Sequence, residues 1–302
     1  MTANVEERLR IAIIGSGNIG TDLLVKAHRS ATLEPTLFVG RSLHSAGMAK
    51  AIGLGVPVSD RSVAALQEAH EQYDLVFDAT SARDAVRHWE LLAPLGKTVI
   101  DMTPANVGEM CVPAVNLTEL GDARNLNMVT CGGQASVPLA HVVGRTQRDI
   151  EYIEVVSSIA SRSGGPATRA NLDEYIETTE TALQRFSGAR RTKAILILNP
   201  AEPCVNMQTT LFAQIEDPDM PALQDGIDAM VEQIQRYVPG YSLVVAPTHE
   251  NGRVVIMVKV QGLGDYLPRY AGNLDIINCA AIAAAEQLAH TRTAAAGVGP
   301  AA

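Results

Sequence analysis

The stretch that most restricts what this chain can fold into is LRIAIIGSGNIGTDL, residues 9–23. Leu9 to Ile14 is a short, β-branched apolar run, the composition of a parallel strand buried on both faces. GSGNIG, residues 15–20, follows, and Thr21 to Arg29 has helical character. Strand, G-x-G-x-x-G and helix in that order make the first turn of a dinucleotide-binding βαβ unit. Gly15 permits the tight turn, Gly17 lets backbone approach a pyrophosphate, and Gly20 lets helix pack closely on strand. The helix start then presents N–H groups and its positive dipole end to phosphate.

The following residues repeat the alternation. TLEPTLFVGRS holds a strand near Leu37–Val39, SVAALQEAHEQY a helix, DLVFDATSA a strand, ARDAVRHWELLAPLG a helix, and KTVIDMTP and LNMVTC two more strands. Such alternation predicts a doubly wound parallel sheet. The second strand ends in VGRS, without the acid that grips an adenosine ribose. Arg41 is there either as a solvated loop arginine or as the acceptor of a 2′-phosphate, so NADP stands beside NAD.

After about residue 150 the pattern changes to longer strands with two helices between them, an α+β arrangement. YSLVVAP and RVVIMVKVQG flank THENG and predict a hairpin. NLDEYIETTETALQRF predicts a helix with Asn171 as N-cap and Glu174 completing a capping box. NLDIINCAAIAAAEQLA predicts a last helix, and the tail beyond it is expected to be disordered.

The chain has 302 residues and a formal net charge of −9. That balance argues against nucleic acid or an anionic membrane as the main partner. No apolar run is long enough to span a bilayer, and MTANVEERLR does not read as a secretory signal. The four cysteines, 111, 131, 204 and 279, form no CxxC pair and no zinc spacing, so no metal is expected and a reduced, cytoplasmic setting is the simplest reading.

Among these cysteines Cys131 stands apart. It sits at a strand end in NMVTCGGQASVP, and the residues after it can start a helix. A helix N-terminus lowers a thiol pKa, and Gly132 and Gly133 leave backbone N–H groups for an oxyanion. A nucleotide fold with a nucleophilic thiol suggests aldehyde oxidation through a thiohemiacetal and a thioester, the acyl acceptor being water, phosphate or a thiol. Cys111, Cys204 and Cys279 read as structural. None of the seven histidines has a motif context near Cys131.

IAIIGSGNIGTDL, DLVFDATSA, VIDMTPA, NMVTCGGQAS, VSSIASRSGGPATRANLDEY, ILNPAEP and GNLDIINCAAIAAAE together resemble the CoA-acylating acetaldehyde dehydrogenases of meta-cleavage pathways for aromatic compounds and steroids. The resemblance covers nearly the whole chain before the tail. It implies a glyceraldehyde-3-phosphate-dehydrogenase-like fold, with an N-terminal Rossmann doubly wound sheet and an α+β catalytic and dimerisation domain. The expected boundaries are 1–130 for the dinucleotide domain, with helix 273–290 packing back on it, 131–272 for the second domain, and 291–302 for the tail.

The implied reaction converts acetaldehyde or propanal, NAD and coenzyme A to acyl-CoA and NADH. Cys131 matches the acyl-thioester cysteine, and Ser16, Gly17, Asn18 and Ile19 match the dinucleotide loop. Ser161, Arg162, Ser163, Gly164, Gly165, Pro166, Ala167, Thr168 and Arg169 match a second nucleotide-contacting segment, and Asn273 an asparagine near the nicotinamide. The implied partner is 4-hydroxy-2-oxovalerate aldolase, in a heterotetramer built on a homodimer. From the residues themselves, Gly164, Gly165 and Pro166 form a turn, and Arg162 and Arg169 are placed for a phosphate or a carboxylate. Two departures stand out: Arg41 where an acid is common, and Thr209 where an aspartate is common. A phosphate-dependent semialdehyde dehydrogenase and a weakly active, aldolase-stabilising subunit are the alternatives.

Overall fold

The computed structural model describes residues 8–297. In chain order the elements are β1 (Leu9–Ile14), α1 (Asn18–Arg29), β2 (Leu33–Val39), α2 (Ala46–Gly53), β3 (Val58–Ser59), α3 (Val63–Glu68), β4 (Leu75–Asp78), α4 (Ala82–Leu92), β5 (Thr98–Asp101), β6 (Glu109–Met110), α5 (Pro113–Asn116), β7 (Asn125–Asn127) and α6 (Cys131–Thr146). There follow β8 (Tyr152–Ala160), α7 (Pro166–Ala170), α8 (Leu172–Ser187), β9 (Arg191–Asn199), β10 (Met207–Gln214), α9 (Met220–Gln235), β11 (Tyr241–Glu250), β12 (Arg253–Val260) and α10 (Gly272–Gly297).

Among the described residues these strands form two sheets. The first is parallel, in the order β3-β2-β1-β4-β5-β7-β6, so the order reverses beside β1. In an open α/β sheet a ligand crevice forms outside the carboxyl ends of the strands at such a reversal. Both the glycine loop after β1 and Cys131 after β7 leave the sheet at that edge. β2 is longer than expected and takes in Pro35, which is accommodated where the β1–β2 register shifts between Ile11 and Ala12.

The second sheet is mixed, in the order β11-β12-β10-β8-β9. One face packs on α6, α8 and α9 over a core that includes Ile153, Val155, Leu211, Ile256 and Val258. On the other face Ile195 and Ile197 of β9 are exposed. The β11–β12 hairpin turns at Asn251 and Gly252, both at positive φ, so the strands run further into THENG than the sequence suggests.

The last helix extends to Gly297, past the expected end at 290, so residues 291–297 are helical where a disordered tail was expected. Residues 298–302 lie outside the described residues. Ile277, Ala280, Ala281 and Ala284 of α10 are buried with the first sheet's core, while Ile276 joins the core of the second. Asn171 stands at the N-cap of α8 but makes no side-chain cap bond, so the capping box does not form. No helix among the described residues is long and apolar enough to cross a membrane.

Candidate active site

Cys131 is the first residue of α6. Thr130 is its N-cap: the Gly133 N–H donates to Thr130 Oγ1 at 2.8 Å. That bond removes Gly133 from the expected pair of oxyanion donors, because its N–H is already used. The glycines are needed sterically instead. A Cβ on Gly132 would lie 2.1 Å from the Tyr175 hydroxyl, and one on Gly133 would lie 2.6 Å from Val129 Cγ1.

Val129 itself has φ +59°, a left-handed conformation that a β-branched residue adopts only under constraint. The constraint is Asn127. Its Oδ1 accepts from the Val129 N–H at 2.9 Å, while its Nδ2 donates to Asp101 Oδ2 and to the Thr103 carbonyl. Asp101 lies opposite Asp78 at the ends of β5 and β4, and its carboxyl is pushed up to about 7, first by burial and then by the Asp78 charge.

Cys131 is partly exposed and packs against the cores of both sheets. Its thiol lies 3.8 Å from the buried Tyr175 hydroxyl of α8. Burial pushes that thiol up to about 11, outweighing the Tyr175 hydroxyl and the N–H groups of Gly132 and Cys131, which favour the charged sulfur. The expected lowering by the helix start is therefore opposed by the packing of the residue between the two cores. Thr209 is fully buried on β10 and pairs with Ser157 of β8, Oγ to Oγ1 at 2.9 Å. Ser157 Oγ in turn would lie 3.1 Å from a Cβ on Gly132.

At the glycine loop, Gly15 has φ +115° and leaves no room for a Cβ beside the Ala79 carbonyl. A Cβ on Gly20 would sit 1.8 Å from the Gly15 carbonyl oxygen, whereas one on Gly17 meets nothing within 4 Å. Gly17 is the N-cap of α1 and supplies no side-chain cap, so the first N–H groups of the helix are open to a ligand. Ser16 packs against Gly40, Gly17 and Asn18 are exposed, and Ile19 contacts the first core. Arg41 is exposed just past β2.

Asn273, at the start of α10, is buried, and its Oδ1 has no partner among the described residues. Further along that helix Asn278 clips α1, donating to the Ile19 carbonyl at 3.3 Å and to Asp22 at 2.8 Å. A bare helix start, a glycine with open space and an orphaned amide oxygen fit a dinucleotide with a carboxamide end.

The 161–169 segment, expected to contact nucleotide, is a tight turn with its own internal bonds. Ser161, Arg162 and Ser163 form a 3-10 turn, and the Ser163 hydroxyl donates to the Ala160 carbonyl. Gly164 and Gly165 lead to Pro166, which opens α7 with Ala167, Thr168 and Arg169. Arg169 donates from Nε to the Gly164 carbonyl and from Nη2 to Ser161, and Arg162 pairs with Glu202 at 2.9 Å. The segment leads directly into α8, which carries Tyr175 to the sulfur.

Sequence reasoning missed Tyr175, Ser157, Asn127 and the Thr130 cap. Only the cap had a local signal, a threonine one residue before a helix start. A second missed group is Lys26, buried on α1 with its Nζ 2.8 Å from Asp265, 2.8 Å from Asp275 and 3.3 Å from Asp22. Burial works against its charge, but Cys279, Asp22, Asp275 and Asp265 outweigh that and hold its pKa above the ordinary lysine value.

The family described as "Prokaryotic acetaldehyde dehydrogenase, dimerisation" matches residues 131–268. An acetaldehyde dehydrogenase of Pectobacterium atrosepticum is 58% identical over 96% of this chain and 98% of its own. One from Spirochaeta aurantia is 60% identical over 93% of this chain and 95% of its own. Among solved structures, the aspartate semialdehyde dehydrogenase of Candida albicans with NADP superposes with a TM-score of 0.63 at 11% identity, covering 92% of this chain and 99% of its own. The Vibrio cholerae aspartate semialdehyde dehydrogenase II gives 0.60 at 13% identity, over 94% of this chain and 99% of its own. These two show a shared fold, and the two sequence relatives show the family: this chain belongs to the prokaryotic acetaldehyde dehydrogenases.

Proposed function

We propose that the chain oxidises a short aldehyde, acetaldehyde or propanal, to the acyl-CoA, with Cys131 as the nucleophile. The observation that carries this reading is the placement of Cys131 at the start of α6, on the sheet edge that also carries the open glycine loop. Ionised Sγ adds to the aldehyde carbon, and the carbonyl oxygen becomes an oxyanion. The Cys131 and Gly132 N–H groups are the donors left for that oxyanion, since Gly133 is committed to the cap. A bound nicotinamide supplies the acceptor for the hydride lost from that carbon. The resulting thioester is attacked by the coenzyme A sulfur, whose proton goes to solvent, and Cys131 leaves as a thiolate.

In this reading Gly17, Asn18 and Ile19 present backbone to the pyrophosphate with Ser16 beside them, and Asn273 offers its unpartnered oxygen to the carboxamide nitrogen. NAD is the cofactor, and Arg41, exposed where an acid would repel a 2′-phosphate, gives NADP access. The Ser161–Arg169 segment acts by setting the entry of α8 as well as by bordering the nucleotide. We assign nucleotide binding to residues 1–130 with helix 273–290, and acyl transfer with dimer formation to 131–272. The uncovered face of the second sheet, with Ile195 and Ile197 exposed, suits a homodimer. The partnership with 4-hydroxy-2-oxovalerate aldolase belongs to the same proposal and is tested by co-purification. A working thiolate suits a reducing compartment, the cytoplasm.

The test is absorbance at the reduced-nicotinamide band with NAD or NADP, with coenzyme A, with phosphate in its place, or with neither, across aldehydes of increasing length. Turnover that requires coenzyme A supports the reading. Turnover with phosphate alone would replace it with a semialdehyde-dehydrogenase type of acyl transfer.

A further inference from the structure

We propose that Tyr175 is a catalytic residue, its phenol O–H donating to Cys131 Sγ once the sulfur is ionised. As the role of that sulfur, the proposal rests on the acylating reading above. The geometry is built for this contact. Gly132 has no side chain, and the phenol oxygen comes within 2.1 Å of where a Cβ would be. α8 is fixed against α6 by the Thr130–Thr179 hydroxyl pair at 2.8 Å, and Thr179 also bonds the Tyr175 carbonyl at 2.6 Å. The phenol is therefore held at a set distance from the residue that starts α6.

The chemistry needs such a donor. The side-chain groups that the packed elements bring to this helix start are neutral hydroxyls: Tyr175 of α8 at the sulfur, Ser157 of β8 beside Gly132 with Thr209 of β10 behind it, and Thr179 of α8 on Thr130. Among the described residues, those that favour the charged sulfur are the Tyr175 hydroxyl first and then two backbone N–H groups. Tyr175 cannot serve as the base, because burial and the neighbouring sulfur hold its own pKa well above the ordinary tyrosine value, so it keeps its proton. In the neutral state the thiol donates to the phenol oxygen. When the S–H proton leaves to solvent, the polarity of the contact reverses and the phenol donates to sulfur. A hydrogen bond to a buried charge is among the stronger kinds in a protein.

The experiment is the rate of iodoacetamide alkylation of the full chain from about pH 6 to 11, read peptide by peptide, with partly exposed Cys204 as the internal control. Tyr175→Phe removes only the oxygen. It is expected to raise the apparent pKa of Cys131 by about one pH unit and to slow its alkylation at pH 8 about tenfold, with Cys204 and the melting temperature unchanged. Replacing Tyr175 by 3-fluorotyrosine, a stronger donor, is expected to move the Cys131 profile the other way. It also keeps the proposal testable if Tyr175→Phe misfolds. A Cys131 profile that is the same in wild type and in the folded variants would overturn the role. The readout needs no turnover, so it stands or falls separately from the acyl-CoA reaction.

Discussion

Ser157 Oγ and Thr209 Oγ1 face each other across β8 and β10 at 2.9 Å, both buried, in the layer behind Gly132. One hydroxyl donates and the other accepts. Thr209→Val leaves Ser157 without this partner and is expected to cost about 1–2 kcal/mol in denaturant unfolding, with little change in the Cys131 alkylation profile. Thr209→Asp introduces a buried carboxylate on the same spot. Its charge disfavours a second negative charge nearby, so the Cys131 profile is expected to move to higher pH. An unchanged profile in Thr209→Asp would show that this position is too far from the sulfur to matter.

The glycine loop separates two kinds of glycine. Gly20→Ala drives a Cβ into the Gly15 carbonyl, so both the melting temperature and nucleotide affinity are expected to fall, the latter at least about tenfold. Gly17→Ala meets open space, so it is expected to weaken nucleotide binding while leaving the melting temperature nearly unchanged. Nucleotide titration by fluorescence alongside thermal unfolding checks the pair. Equal nucleotide affinity in Gly17→Ala and wild type would remove the pyrophosphate from this loop.

Lys26 holds together three carboxylates contributed by α1, α10 and the loop before it. Lys26→Met keeps the volume but leaves Asp22 and Asp275 buried without their cation. The expected loss is about 3–5 kcal/mol in chemical denaturation, with α10 loosening first in hydrogen exchange. A loss below about 1 kcal/mol would mean that the cluster is solvated.

Asp101 gives the stability a pH slope. An unfolded aspartate titrates near about 3.9, whereas burial and Asp78 raise the folded value to about 7. The folded chain therefore keeps a proton that the unfolded chain releases. This contribution to stability is fully present below about pH 4 and is lost as pH rises towards 7. Unfolding in denaturant at a series of pH values is expected to show that slope in wild type and a flatter one in Asp101→Asn. Parallel curves would assign the slope to other groups.

The legible part of this protein is what repeats locally. β1, β2, β4 and β5 read as apolar runs and the glycine loop follows β1 as expected, whereas the strand expected to end at Cys131 stops at Asn127 and Cys131 opens α6. The illegible part is what long-range packing supplies. Tyr175 lies 44 residues from Cys131, and Lys26 lies 239 and 249 residues from two of its carboxylates. No periodicity carries such pairings. The ionisation of Cys131 illustrates the same limit. A helix start argues for a low pKa, but the packing of Cys131 against the cores of both sheets raises it. Arg169 reads as placed for an anion, and only the folded turn shows that its Nε and Nη2 also bond Gly164 and Ser161.

The central claim is that Cys131 carries the acyl group between aldehyde and coenzyme A. The most direct measurement is peptide mass spectrometry of the chain after incubation with acetaldehyde and NAD, without coenzyme A, quenched in acid. The account predicts an acetyl group on the Cys131 peptide that disappears when coenzyme A is added before the quench. Acetyl-CoA production at the wild-type rate by Cys131→Ala, with no acylated peptide in wild type, would contradict it.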